Sequence, residues 1–84
     1  MSKGILYFSA DWCGPCKQLG PIIDLAKSGG IPVEKINCDY DVFKVQKYQV
    51  KNIPTLIIID MQGNEIKRRT GTIGLEQLKQ WYNG

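Results

Sequence analysis

Histidine is absent from this 84-residue chain, and cysteine is scarce, at three. A closed zinc site needs four N, S or O ligands, usually two spaced pairs of Cys or His. Zinc would therefore have to recruit carboxylates or a second chain. An odd cysteine count does not make a disulfide framework, and the default expectation is a reducing, cytoplasmic setting. No apolar run approaches the ~18 residues that a membrane span requires. The run Ile5-Leu6-Tyr7-Phe8 is too short for the apolar region of a secretory signal and leads directly into the Trp12 segment. Charge is not concentrated either. The net charge is +3, and the only basic cluster is Lys67-Arg68-Arg69. That cluster reads as a solvated strand face, because a nucleic-acid surface needs a broader basic patch interleaved with aromatics. The length allows one domain, residues 1–84, with a single modest core.

What the chain does carry is Trp12-Cys13-Gly14-Pro15-Cys16. Two thiols at i and i+3, placed after an apolar run and at the start of a helical pattern, read as a redox dithiol. Gly14 permits a tight turn. Pro15 suits a first helical turn, where its missing N–H has no intrahelical partner anyway. With zinc disfavoured by ligand count, thiol–disulfide chemistry is the reading the residues support.

The elements follow from periodicity. Gly4 to Ala10 reads as a strand buried on both faces. From Cys13 to Ser28, apolar positions Cys16, Leu19, Ile22, Ile23 and Ala26 have helical spacing, with Pro21 expected to interrupt and kink the helix and Gly29-Gly30 to stop it. Val33 to Cys38 is a second strand, and Pro32, Glu34 and Lys35 suit a sheet edge. Asp41 to Tyr48 is a short helix with Asp41 as a candidate cap. Leu56 to Ile59 is the most strand-like run and the expected sheet centre. Asp60 to Asn64 has turn chemistry, and Glu65 to Thr70 reads as another edge strand. Leu75, Leu78, Trp81 and Tyr82 give a closing amphipathic helix after Gly71.

With these elements in place, the chain resembles the thioredoxin family from Gly4 to Tyr82. The resemblance is carried by Trp-Cys-Gly-Pro-Cys-Lys at residues 12–17, Pro21 five residues later, Ile53-Pro54-Thr55, and glycines Gly63 and Gly71. It implies an α/β thioredoxin fold: a four-stranded mixed sheet of order 2-1-3-4 with three flanking helices, in the order βαβαββα. The chain begins where the family's first redox strand begins, so the usual N-terminal strand and helix are expected to be missing. A second departure is chemical. The family's buried aspartate, six residues before the first cysteine, is replaced here by Tyr7, whereas Lys35 matches the lysine usually found beside it. With an ordinary pKa of about 10, a tyrosine is a poor base at neutral pH.

The resemblance also implies roles. Cys13 at a helix mouth is the expected nucleophile, its thiolate favoured by unpaired N–H groups and the macrodipole. Cys16, expected to be less exposed, resolves the mixed disulfide. Pro54 is expected to be cis, with an ordinary trans strand-start proline as the alternative. Trp12, Gly14, Pro15, Ile53, Pro54, Gly71 and Thr72 would form a shallow apolar substrate rim, although Trp12 could instead be a core aromatic. Cys38 reads as a buried, inert thiol. The implied activity is reduction of protein disulfides by a monomer, recharged by a flavin-dependent thioredoxin reductase. No cofactor, metal, nucleic acid or membrane is implied. The alternatives are a glutathione-linked, glutaredoxin-like reductase and a non-catalytic binding module in a larger assembly. The Gly-Pro dipeptide argues against the former, and the intact cysteines against the latter.

Overall fold

Each short apolar run of the chain becomes a strand, and each helically spaced run a helix. The structure, a computed structural model, describes residues 3–84. Its elements are β1 (Gly4–Ser9), α1 (Gly14–Ser28), β2 (Val33–Asn37), α2 (Val42–Lys47), β3 (Thr55–Ile59), β4 (Glu65–Thr70) and α3 (Leu75–Asn83). The four strands form one sheet of order β2-β1-β3-β4. β1 runs parallel to β2 and antiparallel to β3, which is antiparallel to β4.

This order explains the composition of each strand. β1 and β3 are interior strands and carry unbroken apolar runs, because both of their faces are covered. Ile5, Tyr7, Leu56 and Ile58 point to one face, where they join Leu19, Ile23 and Ala26 of α1 and Leu78 of α3. Leu6, Phe8, Ile36 and Ile57 point to the other, where Tyr48 closes the cluster. β2 and β4 are edges, as their charges and Pro32 suggest.

Local chemistry ends the elements. Pro21 lies inside α1 without terminating it. It is exposed, and the helix runs through it with one backbone hydrogen bond fewer. α1 closes on Gly30 at φ +103, with Gly30 N–H reaching Lys27 O and Ile31 N–H reaching Ala26 O, each at 3.1 Å. Asp41 caps α2 by accepting from Lys44 N at 3.1 Å. Tyr48 ends α2, donates its hydroxyl to Gly63 O at 2.7 Å and packs edge-on against Phe8. It thereby ties α2 to the β3–β4 turn.

Candidate active site

β1 delivers the chain to the dithiol. After Ser9 the backbone turns, with Cys13 N–H donating to Ala10 O at 3.2 Å. Cys13 takes extended φ/ψ of −84° and 113° and becomes the N-cap of α1, so the helix begins with Gly14 and Pro15. Cys13 and Cys16 are joined as a disulfide across a Cα–Cα distance of 5.2 Å. Cys13 Sγ accepts a hydrogen bond from the Cys16 backbone N–H at 3.2 Å. A first-turn donor therefore already points at the sulfur that would carry negative charge in the reduced form. No acidic residue occupies that turn to oppose it.

Two expectations are corrected here. The cysteines are equally covered, each 5% exposed, so Cys16 is not the more hidden of the pair in this bonded form. Each sulfur shields the other, and Ala10 and Ile53 close over both. Gly14 does not use a glycine's conformational freedom, since it lies in ordinary helical backbone, and a Cβ added there would meet no atom within 4 Å. A side chain there would project into open space.

Ile53, Pro54 and Gly71 come together on the loop that meets the dithiol. Ile53 packs against Ala10, Cys13 and Cys16. The Ile53–Pro54 peptide bond is cis. Pro54 O accepts from Gly71 N at 3.0 Å, which brings the Gly71-Thr72 turn beside the same loop. Gly71 sits at φ +86, a left-handed conformation that suits glycine. Trp12 is 70% exposed, which excludes the core alternative. Its indole N–H donates to Asp39 Oδ2 at 3.0 Å. Asp39 had no place in the reading of the sequence. The usable signal was topological: β1 and β2 are parallel neighbours, so the residues following each strand emerge side by side.

Tyr7 is buried beneath the dithiol and donates its hydroxyl to the Cys16 carbonyl at 3.0 Å. Burial raises its pKa above the ordinary value, so it is a neutral hydrogen-bond donor at physiological pH. Lys35 is turned to Asp24 of α1, with which it forms an ion pair. Cys38 is half-buried, not fully buried as expected, because it lies at the open end of edge strand β2 against the margin of the second cluster. Burial, with a smaller effect from Asp39, pushes its thiol pKa up and so disfavours the reactive thiolate. Among the described residues, no group of three or more His, Cys, Asp or Glu side chains could hold a metal ion, and no helix is long and apolar enough to cross a membrane.

Known proteins share this arrangement. The sequence profile of the Thioredoxin family matches residues 2–84. Thioredoxin 1 of Chlorobaculum tepidum is 38% identical over 77 residues, covering 87% of this chain and 74% of that protein. Thioredoxin of Chlamydia pneumoniae is 41% identical over 66 residues, covering 76% of this chain, which spans 64% of that relative's length. The crystal structure of Fasciola hepatica thioredoxin superimposes with a TM-score of 0.83 at 29% identity, over 96% of this chain and 78% of that one. A four-stranded sheet of order 2-1-3-4, a Cys-Gly-Pro-Cys disulfide at a helix mouth and a facing cis-proline thus coincide with a match along nearly the whole sequence. The chain belongs to the thioredoxin family of thiol–disulfide oxidoreductases.

Proposed function

We propose that the protein is a reductant of protein disulfides in the cytoplasm, acting as a monomer and recharged by a flavin-dependent thioredoxin reductase. The observation that carries this reading is the Cys16 N–H aimed at Cys13 Sγ. In the reduced form that donor favours a Cys13 thiolate, the species that attacks disulfides. The thiolate attacks one sulfur of the target disulfide. The other target sulfur leaves as a thiolate and takes a proton, and Cys13 is held in a mixed disulfide. Cys16, deprotonated to water, then attacks Cys13 Sγ. The second target sulfur leaves and is protonated, and Cys13–Cys16 is left oxidised. The target gains two electrons and two protons in all, which the reductase restores to the dithiol.

Trp12, Gly14, Pro15, Ile53, Pro54, Gly71 and Thr72 are assigned to the rim that receives the target. Ile53 packs against Cys13 and Cys16, and Pro54 O is bonded to Gly71 N–H, which supports that assignment. Cys16→Ser should accumulate mixed disulfides with an oxidised protein such as insulin, and Cys13→Ser should form none at this site. Mass spectrometry of the adducts reads the outcome, and adducts formed only through Cys38 would overturn the assignment. Insulin reduction with NADPH and thioredoxin reductase, run beside glutathione with its own reductase, identifies the electron donor. Turnover with glutathione alone would transfer the protein to the glutaredoxin-like alternative.

A further inference from the structure

Tyr40, Val42 and Phe43 place three large apolar side chains within four residues, exposed by 81%, 51% and 74%. Single exposed apolar residues need no explanation, but a cluster does. None of the three joins a core cluster among the described residues. Tyr40 directly precedes the α2 cap Asp41, where an apolar residue commonly packs against the fourth helical residue. That residue is Val45, which turns inward to the second core cluster and leaves Tyr40 in solvent. The turn is held without these side chains: Tyr40 N–H and Asp41 N–H both donate to Asn37 O at 3.1 and 2.9 Å, and Asp39 N–H donates to Asn37 Oδ1 at 2.9 Å.

The cluster is continuous with the mouth of the dithiol. Trp12, the chain neighbour of Cys13, is bonded through its indole to Asp39, the chain neighbour of Tyr40. The surface between is acidic. Asp11 and Asp39 are exposed and Asp41 half-exposed, in a chain whose net charge is +3. The nearby Lys44 ammonium pairs with Glu34 and is also attracted by Asp41, whereas Asp11 and Asp39 enter no salt bridge among the described residues.

We propose that Tyr40 and Phe43, continuing from Trp12, form a second subsite for target proteins. It receives the segment next to the target's reactive cysteine, and it selects segments bearing a large apolar side chain together with Lys or Arg. This rests on the disulfide-reductase reading of Cys13 and Cys16 and adds target selection to it. The apolar side chain covers the exposed aromatics, while the cation meets Asp39 and its acidic neighbours.

The test compares two peptides with one intramolecular disulfide each, identical except for Phe-Lys or Ser-Ser beside the attacked cysteine. Hydroxyethyl disulfide serves as a substrate too small to reach the subsite. The parent should reduce the Phe-Lys peptide with about tenfold higher kcat/KM, in keeping with an aromatic contact at an interface. Tyr40→Ser/Phe43→Ser should lose that preference through a raised KM, keep its rate on hydroxyethyl disulfide, and melt as the parent does. Tyr40→Phe should retain most of the preference. Equal rates on both peptides in the parent, or an unchanged preference in the double variant, would overturn the subsite. So would a parent that sediments as a dimer and a double variant that sediments as a monomer with peptide preference intact, since the occupant would then be a second copy. Failure of the parent to reduce even hydroxyethyl disulfide would sink the reductase reading and the subsite together, and is thereby distinguishable from loss of the subsite alone.

Discussion

Tyr7 shows how one residue can hold a position without repeating its chemistry. Its phenol lies under the dithiol and donates to the Cys16 carbonyl. Tyr7→Phe should therefore cost about 1 kcal/mol, the net worth of one buried hydrogen bond. The loss should depend on pH. Burial, the largest influence, raises the phenol pKa above 10.0, against smaller lowering effects from Ser9 and Lys35. The unfolded chain then ionises first. The stability supplied by the neutral phenol is complete below about 10 and is lost as pH rises through the folded value. Tyr82 and Cys38 are shifted upward by burial too, so Tyr7→Phe should flatten the alkaline loss and not abolish it. Urea midpoints of both proteins between pH 8 and 11 decide this, and parallel curves would show that the phenol does not contribute. Tyr7→Asp should be worse than Tyr7→Phe, because Lys35 is already paired with Asp24 and the new carboxyl would be buried without a partner. A carboxyl raised by burial is lost as a source of stability as pH climbs, so Tyr7→Asp should be less stable at pH 8 than at pH 5. Single-turnover resolution of a mixed disulfide against pH reads the catalytic side, and superimposable profiles for parent and variant would assign Tyr7 to filling space. At this scale the sequence exposed Cys13 and Cys16, whose chemistry is written in five adjacent residues. It concealed Asp39, because the Trp12 bond joins residues far apart in the chain.

Elements were legible to the extent that periodicity defines them, and their ends where a capping chemistry could be recognised. The first helix was expected from Cys13, but Cys13 is its cap, with backbone in the extended region and a sulfur facing the first turn. The second was expected over Asp41 to Tyr48 with Asp41 as a candidate cap; Asp41 is that cap, and Tyr48 proves to be the cap at the other end of Val42–Lys47. Hydrophobic periodicity fixes a helix only to within one or two residues at each end, because a cap is distinguished by its backbone angles and hydrogen bonds and not by its polarity. α2 has only six residues, none of them fully buried. So short a helix cannot sustain itself, and its stability comes from its ends and from Tyr48. Asp41→Ala should accordingly cost about 1 kcal/mol. The loss should be local, raising amide exchange over residues 42–47 ahead of β1 and β3. Uniform acceleration across the sheet would mean instead that α2 and the core open as one unit.

Strand order is the property that local pattern could not supply. Apolar runs identify β1 and β3 as buried, and charges mark β2 and β4 as edges, but either interior strand could have neighboured either edge. The order 2-1-3-4 came from resemblance, and it is what carries Cys13, Asp39, Ile53 and Gly71 to one region of the surface. That order also separates residues that stabilise from residues left for contact. Leu78 is fully buried between α3, α1 and the sheet, whereas Phe43 is 74% exposed. For a chain of this size the total stability is roughly 4–13 kcal/mol. Leu78→Ala should remove about 2–5 kcal/mol of it through lost burial and the cavity left behind. Phe43→Ser, removing a larger apolar group, should change it by less than about 0.5 kcal/mol. The two should reverse in activity when assayed well below the melting temperature. Leu78→Ala should keep the preference between apolar-basic and serine-flanked disulfides, because it leaves the dithiol face unaltered, and Phe43→Ser should weaken it. Urea unfolding and peptide reduction on the same preparations measure both axes. A Phe43→Ser protein as destabilised as Leu78→Ala would place Phe43 in the core and remove the physical basis for reading it as a contact residue.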